Sequence, residues 1–77
     1  MADGRVIPGI YQHFKDGKYY VFGVSTDTES DERVVVYMPL YGEFAGKLLH
    51  RKLSNFLEEV DRPDFNYNGP RFFRIEE

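Results

Sequence analysis

Residues 11–23 read YQHFKDGKYYVFG. Five aromatic rings and a histidine flank Asp16-Gly17 in this segment, and the way it turns decides the fold. Asp-Gly between two runs of β-forming residues is the chemistry of a tight hairpin, because both central positions of a type I′ loop need positive φ. The segment therefore reads as a strand over residues 10–14, a two-residue loop, and a returning strand over 19–25. That loop sets Lys15 opposite Lys18, Phe14 opposite Tyr19, His13 opposite Tyr20, Gln12 opposite Val21 and Tyr11 opposite Phe22. One face then carries Ile10, Gln12, Phe14, Tyr19 and Val21. The other carries Tyr11, His13, Lys15, Lys18, Tyr20, Phe22 and Val24. Rings stand on both faces, so alternation leaves open which one is buried.

Working outward, residues 1–5 are polar and expected to fray, and Pro8-Gly9 marks a turn before the hairpin. Residues 26–32, TDTESDE, form a polar acidic connection. RVVVYM over 33–38 is the clearest strand, and its valine run points to a well-buried position. Pro39 ends that strand or marks an edge. Residues 40–46 read as a loop with two glycines, and 47–50 as a short strand. Residues 54–58 read as one helical turn, with Leu53, Phe56, Leu57 and Val60 at the spacing of an apolar helical face. Residues 61–70 hold two prolines, two asparagines and a glycine, a loop composition. RFFRI over 71–75 is a final strand.

The expected architecture is mainly β: a small SH3-like barrel or roll of about five strands with one short helical turn. A β-sheet packed on a single helix is the alternative. The chain of 77 residues is read as one domain, with an ordered core over 8–76 and a flexible N-terminus over 1–5. So short a chain buries only about 60% of the surface that its unfolded form exposes. It has no cysteine to supply disulfides or thiolate ligands. Its 7 Phe and 6 Tyr are the substitute, since each buried ring removes roughly 150–250 Å² from water.

Ten Lys and Arg stand against 13 Asp and Glu, a formal net charge of −3. That balance argues against a general nucleic-acid binder, whose affinity comes largely from neutralising phosphates. No apolar run approaches the roughly 20 residues needed to span a bilayer. The N-terminus has no apolar signal-peptide core. A cytoplasmic location without membrane contact is expected.

Several residues recur in a fixed order: Pro8-Gly9-x-Tyr11-x-His13-Phe14-Lys15, Tyr19-x-Val21-x-Gly23-Val24, Thr28-Glu29, Val35-Val36-Tyr37-x-x-Leu40-Tyr41-Gly42 and Phe56-Leu57-Glu58. This ordered set, over roughly residues 8–60, resembles the small bacterial domain-of-unknown-function family 1653. The resemblance implies an SH3-like barrel or roll and implies no activity. The chain departs from the pattern at two places. Asp27 stands where the family usually has histidine, and Leu49-His50-Arg51-Lys52 stands where it has tryptophan-valine-arginine-proline.

Catalysis finds little support in the residues. Ser25 and Ser54 have no motif around them that would supply a base. Asp27, Glu29, Asp31 and Glu32 cluster in a loop where carboxylates are solvated. Gly42-x-x-x-Gly46-Lys47 lacks the length and the Ser/Thr of a phosphate loop. His13 and His50 are the only histidines, short of the ligand number that a metal site usually needs. No catalytic residue, cofactor or metal is expected. The expected function is a non-enzymatic module that binds a peptide or protein partner. Its site is an exposed groove shared by Tyr11, Tyr37 and Tyr41, with His13 and Arg51 as neighbours, since tyrosine joins a flat apolar body to a polar tip. The alternative is RNA or single-stranded nucleic-acid binding through Lys47, His50, Arg51 and Lys52 beside Tyr41 and Phe44.

Overall fold

The computed structural model describes residues 6–76; the expected fraying at residues 1–5 lies outside them. Among the described residues run seven strands and two short helical turns: β1 (Gly9–His13), β2 (Lys18–Thr26), β3 (Arg33–Pro39), β4 (Leu49–Lys52), α1 (Leu53–Phe56), β5 (Glu59–Arg62), a 3-10 turn (Pro63–Phe65), β6 (Tyr67–Pro70) and β7 (Phe72–Glu76). Five strands form one antiparallel sheet in the order β4-β3-β2-β1-β7, and β5 pairs with β6 in a second, two-stranded sheet. The fold is thus mainly β. The five-stranded sheet does not close: β4 and β7 are its two edges. Of the expected SH3-like barrel or roll, the mainly β class is present, as an open sheet with a separate hairpin rather than a closed barrel.

The first hairpin forms where Asp16-Gly17 calls for it, with a longer loop and another register. Tyr11 faces Tyr19 rather than Phe22, Gln12 faces Lys18, and Ile10 faces Tyr20. The loop closes when the His13 N–H donates to the Gly17 carbonyl at 3.0 Å and the Asp16 N–H to the His13 carbonyl at 2.8 Å. Phe14 and Lys15 take the turn, and Asp16 supplies the left-handed residue with φ 88°, the usual build of a three-residue loop. Phe14 leaves the β1–β2 ladder because its N–H goes to the Arg71 carbonyl at 3.0 Å. An odd shift of register exchanges the faces of one strand against the other. Tyr11 and Tyr19 are thereby cross-strand neighbours on the inner face, and Ile10 and Tyr20 share the outer one.

A bulge at Phe22 resets the pattern within β2. Val21 pairs with Tyr37 and Gly23 with Val36, which leaves Phe22 without a partner in the ladder. The extra residue lets both Val21 and Val24 face the core while Phe22 turns outward against Tyr20, ring centroids 5.0 Å apart. The valine-rich run is an interior strand as expected. β3 lies between β2 and β4, and Val35 is sealed from solvent.

The core gathers Val6, Tyr11, Val21, Val35, Tyr37, Leu53, Phe56 and Phe72, with Tyr19, Val24, Leu49 and Leu57 packed against it. Leu53 and Phe56 reach it from α1, which is a single turn closed by the Leu57 N–H on the Leu53 carbonyl. Val60, expected on the same helical face, lies in β5 instead. Residues 61–70, expected to be a loop, are largely strand. Pro63 opens the 3-10 turn, and Asn66 takes the left-handed conformation that reverses the chain, φ 52° and ψ 45°. Pro70 is tolerated because it ends β6, a place where a strand can lack a donor.

Candidate functional site

Of the rings of residues 11–23, Tyr11, Phe14 and Tyr19 belong to a network that runs through the inner face, while Tyr20 and Phe22 pair on the outer one. Phe56 and Phe72 stack at 4.5 Å with planes 7° apart, and Tyr11 meets Phe56 edge-on at 5.4 Å. Tyr19 meets Tyr37 at 5.4 Å and Phe72 at 5.5 Å. His13 joins this cluster to a second one: it lies 4.9 Å from Phe72 and 4.7 Å from Phe14. Phe14 in turn touches Phe65 and Tyr67 at 5.6 and 5.4 Å. Most of the rings therefore do structural work, in the edge-on and offset geometries that their quadrupoles favour.

The expected groove of Tyr11, Tyr37 and Tyr41 is not present. Tyr11 and Tyr37 are each only 6% exposed, because the corrected register turns Tyr11 into the core. The Tyr11 hydroxyl donates to the Ile7 carbonyl at 2.9 Å and accepts from the Ile7 N–H at 3.2 Å. It fastens the segment before β1 and offers nothing to a partner. Arg51 is half-buried. Its guanidinium lies 5.0 Å from the Phe72 centroid and 6.0 Å from that of Tyr37, and it donates to Asn55 Oδ1. The Nε atoms of Arg51 and Arg71 are buried without a hydrogen-bond partner.

Of the three tyrosines only Tyr41 is open to solvent, and it builds a site with a residue that the sequence reading placed in the hairpin alone. The Tyr19 and Tyr41 hydroxyls share a hydrogen bond of 2.9 Å, and their rings meet edge-on at 5.7 Å. Burial first, then the bond to Tyr41, holds the Tyr19 phenol protonated well above its ordinary range. This pair is the common wall of two clefts. One, of about 300 Å³, is lined by Tyr19, Tyr37, Pro39, Tyr41, Gly42, Glu43, Phe44 and Leu49. The other, of about 740 Å³, is lined by His13, Lys15, Asp16, Gly17, Lys18, Tyr19, Leu40 and Tyr41.

Local sequence explains how Tyr41 gets there. Pro39 stops β3, the Leu40 N–H donates to the Lys18 carbonyl, and the Gly46 N–H donates to the Pro39 carbonyl. The loop between them is thus pinned at one end to β2 and closed at the other on the last residue of β3. Gly17 then admits the Tyr41 ring: a Cβ there would lie 2.5 Å from the ring's hydroxyl end. The same loop carries Leu40, Tyr41, Phe44 and Leu48 at 45, 49, 50 and 67% exposure.

His13 stands half-buried in the second cleft. Its Nδ1 accepts the Lys15 N–H at 3.1 Å, so the neutral ring carries its proton on Nε2. Burial, and then the charges of Arg51, Arg71 and Lys15, push its pKa down to about 4. His50 is exposed on the outer face of β4, opposite Val36, and the two histidines share no site. Lys47, His50, Arg51 and Lys52 do not gather either. Arg51 points inward, Lys52 pairs with Glu32 at 3.4 Å, and Lys47 stands off β4 over the Phe44 ring at 5.8 Å.

The acidic connection is a built turn. Asp27 Oδ1 accepts the Glu29 and Ser30 N–H groups at 2.8 and 3.2 Å, and these bonds hold its carboxyl below the usual range. Among the described residues no group of three or more His, Asp or Glu could hold a metal ion, and no helix is long and apolar enough to cross a membrane.

Among curated proteins none matches this chain. The model of the family described as "Protein of unknown function (DUF1653)" matches residues 9–74. The crystal structure of a DUF1653 protein from Bordetella bronchiseptica is similar at 32% identity and a TM-score of 0.85, over 96% of this chain and 92% of that one. The resemblance drawn from the ordered motifs thus holds over nearly the whole sequence, and the chain belongs to the DUF1653 family of proteins of unknown function.

Proposed function

We propose that this protein is a non-enzymatic binding module that grips an extended peptide segment of a partner in the cleft between Tyr19, Tyr37, Pro39, Tyr41, Phe44 and Leu49. The observation that carries this reading is the 40–48 loop, whose Tyr41 and Phe44 rings line that cleft and yet remain about half exposed. Rings at the rim and floor give contact area at small entropic expense, as in other grooves that hold extended peptides. Two further observations support a binding role over a catalytic one. The Tyr19 hydroxyl is held protonated, and the Asp27 carboxylate is committed to its own turn.

The test is an NMR titration of ¹⁵N-labelled protein with a pool of apolar hexapeptides, with short RNA and with single-stranded DNA. The expected result is that the peptide pool shifts amides within residues 37–49. The Lys47–Phe44 contact is the one observation that favours nucleic acid. Shifts with RNA alone, weakening steeply with salt, would replace the peptide reading with that one.

A further inference from the structure

We infer that the peptide gripped here carries a carboxylate next to its apolar side chain, and that the carboxylate seats in the neighbouring cleft among His13, Lys15, Lys18 and the Tyr19–Tyr41 hydroxyls. This rests on the peptide-binding reading and adds the chemistry of the ligand. Three observations point the same way.

The first is continuity. Tyr19 and Tyr41 line both clefts, so a segment whose apolar side chain packs between Tyr41, Phe44 and Leu49 has its next group at the second opening. The second is charge. The chain as a whole is acidic at −3, yet this opening is lined by two lysines against one acid, Asp16. Arg51 and Arg71 add their fields at His13, where they and Lys15 oppose protonation after burial has done so. A basic opening in an acidic protein favours an anion and repels the opposite charge.

The third is hydrogen bonding. In the Tyr19–Tyr41 pair one hydroxyl donates to the other. The accepting hydroxyl keeps its own proton to give to a ligand. His13 presents Nε2–H because Nδ1 is occupied by the Lys15 amide. An O–H and an imidazole N–H donate, and the exposed Lys18 and Lys15, the latter with its ammonium resting over the Phe14 and Phe65 rings, can swing theirs to the same place, which suits an acceptor-only carboxylate.

The experiment titrates full-length labelled protein with two pools of apolar hexapeptides. Each member of the first carries one Glu and a C-terminal amide; the second has Gln in place of Glu. The expected result is about tenfold tighter binding of the Glu pool, equivalent to about 1.4 kcal/mol. Its extra amide shifts should fall at residues 13–18. In the K15Q/K18Q variant, whose two substituted side chains are exposed, the preference should collapse while shifts at Phe44 and Leu49 persist. Equal affinity for the two pools would overturn the carboxylate inference and leave the peptide grip standing. No shift within 37–49 with either pool would overturn the grip itself. Acetate and inorganic phosphate are the last arm. Shifts at 13–18 as large with these ions as with the Glu pool, at equal concentration, would assign the opening to free anions and overturn the peptide carboxylate.

Discussion

Tyr11 and His13 lie two positions apart, and the structure gives them different work. The Tyr11 hydroxyl exchanges both hydrogen bonds with the Ile7 backbone. Tyr11→Phe should lower stability by about 1 kcal/mol, the net worth of such bonds. Tyr20→Phe is the control, with no bond to its hydroxyl among the described residues, and should be near neutral. Urea midpoints of the two variants check this. His13 makes stability depend on pH. Its folded pKa of about 4 lies below its ordinary value of 6.5, so the unfolded chain binds the proton more readily. Stability is therefore full above pH 6.5 and declines as pH falls from there toward 4. Solvent screens a group this open, which brings the expected loss between pH 7 and 5 to about 1 kcal/mol. Urea melts at the two pH values should show that loss in the native protein and lack it in His13→Asn. Equal pH dependence in both would remove His13 as the cause.

The elements were legible in proportion to how locally they are specified. RVVVYM announced β3 through β-branched residues alone, and Asp16-Gly17 announced a reversal. The register failed because two loops fit that dipeptide, and the choice is made elsewhere: Arg71 takes the Phe14 N–H, and Phe65 and Tyr67 take its ring. The β5–β6 hairpin was hidden for a related reason. Its prolines sit at the 3-10 turn and at the end of β6, where they do no harm to a ladder, yet in sequence they read as loop. At this scale the testable residue is Gly17, whose φ of 101° and whose contact with Tyr41 both exclude a side chain. Gly17→Ala should destabilise by about 1–2 kcal/mol from the backbone alone. It should also move the Tyr19 and Tyr41 ring resonances as Tyr41 is displaced. An unchanged aromatic spectrum would show that the two rings do not depend on that contact.

At the scale of the molecule, one ring ties the elements together. Phe72 from β7 stacks on Phe56 of α1 and meets His13 of β1, Tyr19 of β2 and Tyr37 of β3, with Arg51 of β4 over its face. Phe72→Ala should cost about 3–5 kcal/mol. For a chain of this size that is much of a total stability of order 4–12 kcal/mol. Loss of a cooperative thermal transition at 37 °C is the expected outcome; a loss below about 1.5 kcal/mol in urea would show that the network tolerates the gap. The same network explains why the site was only half legible. Tyr41 is legible because tyrosine suits a rim, but Tyr19, Lys15 and Lys18 look in sequence like hairpin residues alone, and Tyr11 and Tyr37 look exposed. By itself the sequence determined the β class, the reversal at Asp16-Gly17, the interior place of the valine strand and the reliance on rings, because propensity and turn chemistry act over a few residues. Tertiary structure alone decided which face of the hairpin is buried, that the sheet stays open, and that Tyr19 meets Tyr41. Those outcomes rest on contacts between residues far apart in sequence, chiefly Phe14 with Arg71 and Tyr19 with Phe72, and no local pattern encodes them.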